Sequence, residues 1–130
     1  VASPACSEEQ RQAAELLLIG MNVIPIWSKD HPGLYVIRSI AMLVNEACEA
    51  VLHDIASEQD IDSAMKYGVN YPCGPFDWAD RIGYYTILQI LENMYHVYGE
   101  DRYRTSIYLA KKAVQGHAQK TQQHPLRVAG

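Results

Sequence analysis

Two prolines three residues apart, with a glycine between them, interrupt this chain at Tyr71-Pro72-Cys73-Gly74-Pro75. Each proline locks its own φ and pushes the residue before it away from the helical region. Gly74 can adopt φ angles closed to other residues. Before the interruption, Ile61, Ala64 and Met65 recur at helical spacing up to Gly68; after it, Phe76 opens a new apolar and aromatic segment. Residues 61–83 therefore read as a rigid corner that sets two helices at one defined angle.

The flanks are helical in pattern. Ser7 followed by Gln10 is a capping box, Glu8 and Glu9 suit a first turn, and Gly20 suits the stop. Residues 21–27, MNVIPIW, are rich in β-branched and aromatic side chains and are expected to be extended. Pro25 cannot donate a ladder hydrogen bond, so this is an edge strand or no strand. A single strand is not stable alone, so the segment needs an outside partner or must lie against a helix as a linker. After the break at residues 29–33, residues 34–56 contain no Pro or Gly and read as one long helix. Ile37, Ile40, Val44, Ala47, Val51 and Ile55 form its expected core stripe. Between Leu34 and Val44 only Arg38 and Ser39 are polar. A helix apolar nearly all round is covered on more than one side, which makes Leu34, Ile37, Ala41, Met42 and Val44 an expected interface with a second chain.

Ser57 with Asp60 caps the next short helix, which is expected to end at Gly68. A helix follows over 76–83. A longer one runs over 84–98, with Ile87, Leu88, Leu91, Met94, Tyr95 and Tyr98 on one face and Gly99 at its end. A last amphipathic helix covers 104–115, with Ile107, Tyr108, Ala110 and Val114 apolar. The expected fold class is all-α: five to six helices around one long central helix, behind a short αβ-like lead-in. The expected boundaries are 1–30 for the lead-in helix and extended linker, 31–116 for the helical domain and 117–130 for a polar tail.

Composition excludes several function classes. The 130 residues suit one domain with a sizeable core. With 11 basic against 15 acidic side chains the formal charge is −4, which leaves no cation excess for nucleic-acid phosphates. Three scattered cysteines, Cys6, Cys48 and Cys73, make neither a disulfide framework nor a CxxC metal site, so a reducing, cytoplasmic compartment is expected. No apolar run is long enough to span a bilayer, and no basic n-region precedes an apolar core. The start at Val1 leads to the expectation of a fragment or a processed product.

No catalytic constellation is visible. His31, His53, His96, His117 and His124 lack metal-ligand spacing, so no metal site is expected. His53 and Asp54 are adjacent, and helical neighbours diverge by about 100°. There is no GxSxG, Walker A or GxGxxG sequence. Cys73 has no base near it in sequence and reads as a packing residue rather than a nucleophile. Arg102, Arg104, Lys111 and Lys112 could hold the phosphates of an acidic ligand, but a solvated face is the commoner explanation. The tyrosines at 84, 85, 95, 98, 103 and 108 read as core or interface. From the residues alone the chain is a helical interaction module.

One resemblance adds to this. Asp30, Pro32-Gly33, Val36, Arg38 and Asn45-Glu46-Ala47 are followed by Ile61-Asp62, Ala64-Met65-Lys66, Gly68, Tyr71-Pro72, Gly74-Pro75-Phe76, Asp80 and Gly83. In this order and spacing they resemble the C-terminal domain of the 3-hydroxyacyl-CoA dehydrogenase family, which includes 3-hydroxybutyryl-CoA dehydrogenases. The resemblance implies a 6-phosphogluconate-dehydrogenase-C-terminal-like helical domain that forms a homodimer and closes over acyl-CoA. It places NAD and the catalytic His–Glu pair in a preceding Rossmann domain, so no catalytic residue and no cofactor is expected here. It makes residues 7–30 the last helix and strand leading out of that domain. It also implies substrate-side roles for Arg38, Tyr71, Pro72, Gly74, Pro75 and Phe76. The family's G-F-x-V-N-R reads Gly33-Leu34-Tyr35-Val36-Ile37-Arg38 here, so Ile37 stands where the family has a substrate-contacting Asn. Ile offers neither donor nor acceptor. The closing glycine-aromatic motif is also absent. Both departures resemble the second of two tandem C-terminal domains in longer members, including the phenylacetate-degradation branch, where the second copy mostly packs against the first or mimics the dimer interface.

Overall fold

The capping box at Ser7 forms as its spacing dictates. In the computed structural model, which describes residues 6–27 and 33–123, the Gln10 backbone N–H donates to Ser7 Oγ at 3.3 Å. The Ser7 N–H donates to Gln10 Oε1 at 2.9 Å. The helix they start, α1 (Glu8–Gly20), keeps Gly20 as its last helical residue, and the left-handed turn falls on Asn22 at φ 60°. No strand forms among the described residues. Residues 23–27 are irregular backbone, because Pro25 lacks an N–H and no second strand is there to pair with. The run instead lies against its own helix: Trp27 Nε1 donates to Glu15 at 3.2 Å, and the Arg11 guanidinium sits 4.9 Å from the Trp27 ring centre. Within this first unit, which ends at Leu34, α1 buries no residue, and Ile24 and Ile26 are each 88% exposed.

The second unit begins at Tyr35 and is built around α2 (Tyr35–Leu52). It continues with α3 (Glu58–Gly68), α4 (Pro75–Ile82), α5 (Tyr84–Tyr98), a 3-10 turn at Asp101–Tyr103, and α6 (Ile107–Gln123). α2 packs against each of α3, α4, α5 and α6, which makes it the central element. The core joins Ala41, Val44, Ala47 and Cys48 of α2 to Phe76 and Ala79 of α4. It closes with Ile87, Leu91 and Met94 of α5, Tyr103 and Leu109. Each large apolar side chain there contributes roughly 1.5–3 kcal/mol by leaving water.

The end of α2 differs from its sequence-based placement, and the cause is local. α2 stops at Leu52 rather than at 56, because Asp54 takes φ 54°, and Ile55 falls outside the helix at 74% exposure. α3 ends at Gly68 as expected, and the left-handed residue after it is Asn70, at φ 59°. Asp and Asn tolerate this region because their short polar side chains bond locally. Gly83, at φ 96°, does carry a conformation closed to side chains, and it joins α4 directly to α5.

α6 differs in both length and rotation. It begins at Ile107, after the 3-10 turn, and runs to Gln123, well past the expected end at 115. Leu109 and Ala113 face the core, whereas Ile107 and Val114 are 61% and 67% exposed. No described helix is long and apolar enough to cross a membrane.

Candidate functional site

The corner is built from α3 and α4 together. α4 starts with Gly74 as N-cap and Pro75 in its first turn, and no side chain of its own caps it. Its free N–H groups are taken from outside. Phe76 N–H donates to Asp62 Oδ1 at 2.9 Å and Asp77 N–H donates to Asp62 Oδ2 at 3.0 Å. A carboxylate at a helix N-terminus gains from both the hydrogen bonds and the aligned peptide dipoles. The approach requires Gly74: a Cβ there would lie closer than 3.0 Å to the Asp62 carboxyl group. Lys66 of α3 adds a 3.5 Å ion pair to Asp77. The Asp62-to-Phe76 spacing is therefore the spacing of a cap between two helices.

The corner residues divide into two groups. Cys73, Gly74, Pro75 and Phe76 are buried, while Tyr71 and Pro72 are exposed. Tyr71 packs on Trp78 with ring centres 5.7 Å apart. Arg38, half-buried on α2, faces neither of them. Its guanidinium lies 4.7 Å from the Tyr98 ring centre and 5.1 Å from that of Tyr103, and it donates to the Tyr103 hydroxyl. The structure thus brings Gly74, Pro75 and Phe76 together and gives Arg38 a separate aromatic site. Ile37 is half-buried on the adjoining turn of α2.

Of the residues expected at an interface, Ala41 and Val44 are fully buried in the domain's own core, and Ile37 and Met42 are half-buried. Leu34 is exposed, as are Tyr35 and Val36. The apolar excess of early α2 is therefore divided between the core and an outward face.

Two further groups were not legible as functional in the sequence. Asn45 is 3% exposed. Its Nδ2 donates to the Arg104 carbonyl at 3.0 Å, and its Oδ1 accepts from Ser106 N–H at 2.8 Å. It fixes the chain just before α6 and so sets which face of α6 turns inward. The second group surrounds Glu58, the first residue of α3. Tyr108 donates its hydroxyl to Glu58 at 2.6 Å, and Lys112 Nζ lies 2.6 Å from the same oxygen and over the rings of Tyr84 and Tyr108. The basic cluster is consequently broken up, with Lys112 turned to Glu58 and Arg102 paired with Glu100.

The charges here are biased accordingly. Burial alone would raise the Glu58 carboxyl, but the hydrogen bonds from Lys112 and Tyr108 and the Lys112 charge outweigh it and hold it below its ordinary value. The hydrogen bond to Glu58, followed by burial, pushes Tyr108 up to about 12. Burial, then the Glu58 charge, pushes the Cys48 thiol up to about 12, so it is not a nucleophile at neutral pH. A carboxyl whose folded value is depressed stabilises the fold above its unfolded pKa, and that stability is lost as pH falls through the folded value. Acid unfolding followed by circular dichroism is expected to show a shallower loss of stability below the ordinary carboxyl range in Glu58→Gln than in the parent chain. Identical acid limbs would count against this assignment.

Among the described residues no three His, Cys, Asp or Glu side chains are placed to hold a metal. His53 and His96 are both exposed, and His53 lies 3.4 Å from Glu49, one turn back on α2. His31 and His124 lie outside the described residues.

Comparison with known proteins places this arrangement. A profile of the 3-hydroxyacyl-CoA dehydrogenase C-terminal domain matches residues 33–126. The chain is 49% identical over 85 residues to 3-hydroxyadipyl-CoA dehydrogenase of Escherichia coli K12, a match that covers 65% of this chain and 18% of that protein. It is 38% identical over 92 residues to a probable 3-hydroxybutyryl-CoA dehydrogenase of Deinococcus radiodurans, covering 71% of this chain and 33% of that protein. Among solved structures, 3-hydroxybutyryl-CoA dehydrogenase from Escherichia coli K12 superimposes with a TM-score of 0.80 at 38% identity, over 91% of this chain and 25% of that one. The (S)-3-hydroxybutyryl-CoA dehydrogenase of Ralstonia eutropha superimposes with a TM-score of 0.79 at 32% identity, over 88% and 40%. The chain thus spans between 18% and 33% of the length of these two curated relatives.

Proposed function

The chain belongs to the 3-hydroxyacyl-CoA dehydrogenase C-terminal domain family, and from that premise we propose that it is the helical domain of an NAD-dependent 3-hydroxyacyl-CoA dehydrogenase, contributing to dimerisation and to framing the acyl-CoA cleft without catalysing alone. The parent reaction would move a hydride from the 3-hydroxyl carbon of an acyl-CoA to NAD, with the histidine base and the NAD site in the Rossmann domain of the parent chain. What carries the reading is the corner. Asp62, Gly74, Pro75 and Phe76, which are part of the family resemblance, act together as one cross-helix cap. The corner is thus built to hold a shape.

Two observations support placing this chain as a second tandem copy. Ile37 removes the polar contact that a cleft-lining domain would offer. Of the two curated relatives, the more similar one is also much the longer, since a comparable match fills 18% of it against 33% of the other. For the dimer, the supporting feature is the outward apolar face of α2 at Tyr35 and Val36. Light scattering on the 130-residue chain is expected to give twice the monomer mass, and a clean monomer at high concentration would remove the association part of the reading.

A second reading is favoured by the inward placement of Arg38, Pro75 and Phe76: an interaction module with no part in any catalytic cleft. Substituting Arg38 or Phe76 in the full-length parent enzyme separates the two. A changed KM for the acyl-CoA supports the cleft-framing role, whereas unchanged kcat and KM with weakened assembly supports the module.

A further inference from the structure

We propose that α3 is a latched flap, able to open as a unit while α2, α4, α5 and α6 stay folded, and held shut by three polar ties rather than by core packing. Every other α-helix of the second unit contributes fully buried side chains, including Val44 and Cys48 of α2, Ala79 of α4, Leu91 of α5 and Leu109 of α6. α3 contributes none. Its apolar attachment is limited to Ile61, which is half-buried against the core, and Met65, also half-buried. Elements with few buried apolar contacts occupy the low end of a protein's local stability.

Each tie is a charged side chain on successive turns of α3. Glu58 reaches α6 through Tyr108 and Lys112, Asp62 reaches the N-terminus of α4, and Lys66 reaches Asp77. The charged groups of the Glu58–Lys112 and Lys66–Asp77 pairs keep between 30% and 42% of their side-chain surface in water, so dissolved salt screens them. Both ends of the element carry a left-handed turn residue, Asp54 before it and Asn70 after it. Gly74 places no side chain between Asp62 and the α4 N-terminus, so the carboxylate can leave and return without a steric gate. When α3 lifts, the Phe76 and Asp77 N–H groups are uncovered and the corner loses its fixed angle. The flap does not depend on the cleft-framing role, because it concerns this chain alone.

Hydrogen exchange with mass-spectrometric readout on the 130-residue chain tests the proposal. Amides of residues 61–68 are expected to exchange at least about tenfold faster than those of residues 41–51 in α2, as a sub-global opening requires. Moving from low salt to roughly 1 M salt should raise the α3 rate several-fold and leave residues 41–51 of α2 unchanged, because α3 is held by charged ties whereas that part of α2 is held by apolar core contacts. Glu58→Gln should accelerate α3 selectively, and Lys66→Gln provides an independent second release of the same element. Exchange of α3 in step with α2, or an α3 rate indifferent to salt and to both substitutions, would overturn the latch.

Discussion

Gly74→Ala is expected to lower the stability of the helical unit by about 3 kcal/mol, or roughly 12–24 °C in melting temperature for a unit of this size. The φ of Gly74 is −79°, which alanine adopts readily, so backbone strain is not the cause. Taken alone, stiffening the unfolded chain would favour alanine by about 0.4–1 kcal/mol. The loss arises because the new methyl group occupies the volume of the Asp62 carboxyl group and its Cβ. Asp62 must then withdraw, leaving two N–H groups of α4 without their acceptor. Charge-assisted hydrogen bonds of this kind contribute about 1.5–3 kcal/mol each.

A double-mutant cycle identifies the mechanism. Asp62→Ala does not make room, since its own Cβ remains in contact range, but Asp62→Gly does. In the Asp62→Gly background, Gly74→Ala should therefore cost under about 1 kcal/mol, a strong departure from additivity. Thermal melts of the four proteins decide the matter, and a Gly74→Ala melt within about 2 °C of the parent would show that the corner does not work this way.

Asn45→Ala should cost as much or more, about 3–5 kcal/mol, measured as a shift in denaturant midpoint. Asn45 bridges residues 59 and 61 positions away in sequence, and both of its bonds lie where water does not reach easily. Truncation leaves the Ser106 N–H without an acceptor inside a fully buried residue, leaves the Arg104 carbonyl without its donor, and opens a small cavity. Asn45→Asp is the informative companion. It keeps the acceptor for Ser106 but sets a carboxylate against the Arg104 carbonyl unless it is protonated. Burial raises the folded pKa of such a carboxyl. The variant should then be most stable below the ordinary Asp value and lose stability as pH rises from there through the raised folded value. A pH-independent deficit in Asn45→Asp would show that the Arg104 bond contributes little.

The two cases also show how much of this molecule can be read without coordinates. Helix existence follows from periodicity and capping chemistry, and the Ser7 and Ser57 caps form as their spacing implies. The break at Pro72–Pro75 is where α3 and α4 meet, because proline acts on the backbone locally, in any context. Helix stops are legible where glycine marks them. Those at Gly20, Gly68 and Gly99 stand where the glycines put them, but α2 stops before Asp54, a residue whose readiness for φ > 0 is real but weaker than that of glycine.

Rotation of a helix was not legible where its sequence is apolar on several sides. Residues 107–110 read Ile-Tyr-Leu-Ala, and nothing local says which of them turns inward. The bonds from Asn45 to residues 104 and 106 decide it, and they select Leu109 over Ile107. Likewise, Arg38 could be named from the family pattern, but its enclosure by Tyr98 and Tyr103 depends on α5 and the 3-10 turn arriving beside α2. Lys112 is close in sequence to other basic residues, whereas its partner Glu58 lies on another helix.

The helical class, the corner at Gly74 and the family are thus legible along the chain, because caps, prolines and ordered motifs act through sequence neighbours. What the corner is made of depends on long-range packing. Asp62 and Phe76 are 14 positions apart, and a cap that crosses between helices exists only once packing has brought the carboxylate to the free N–H groups of α4.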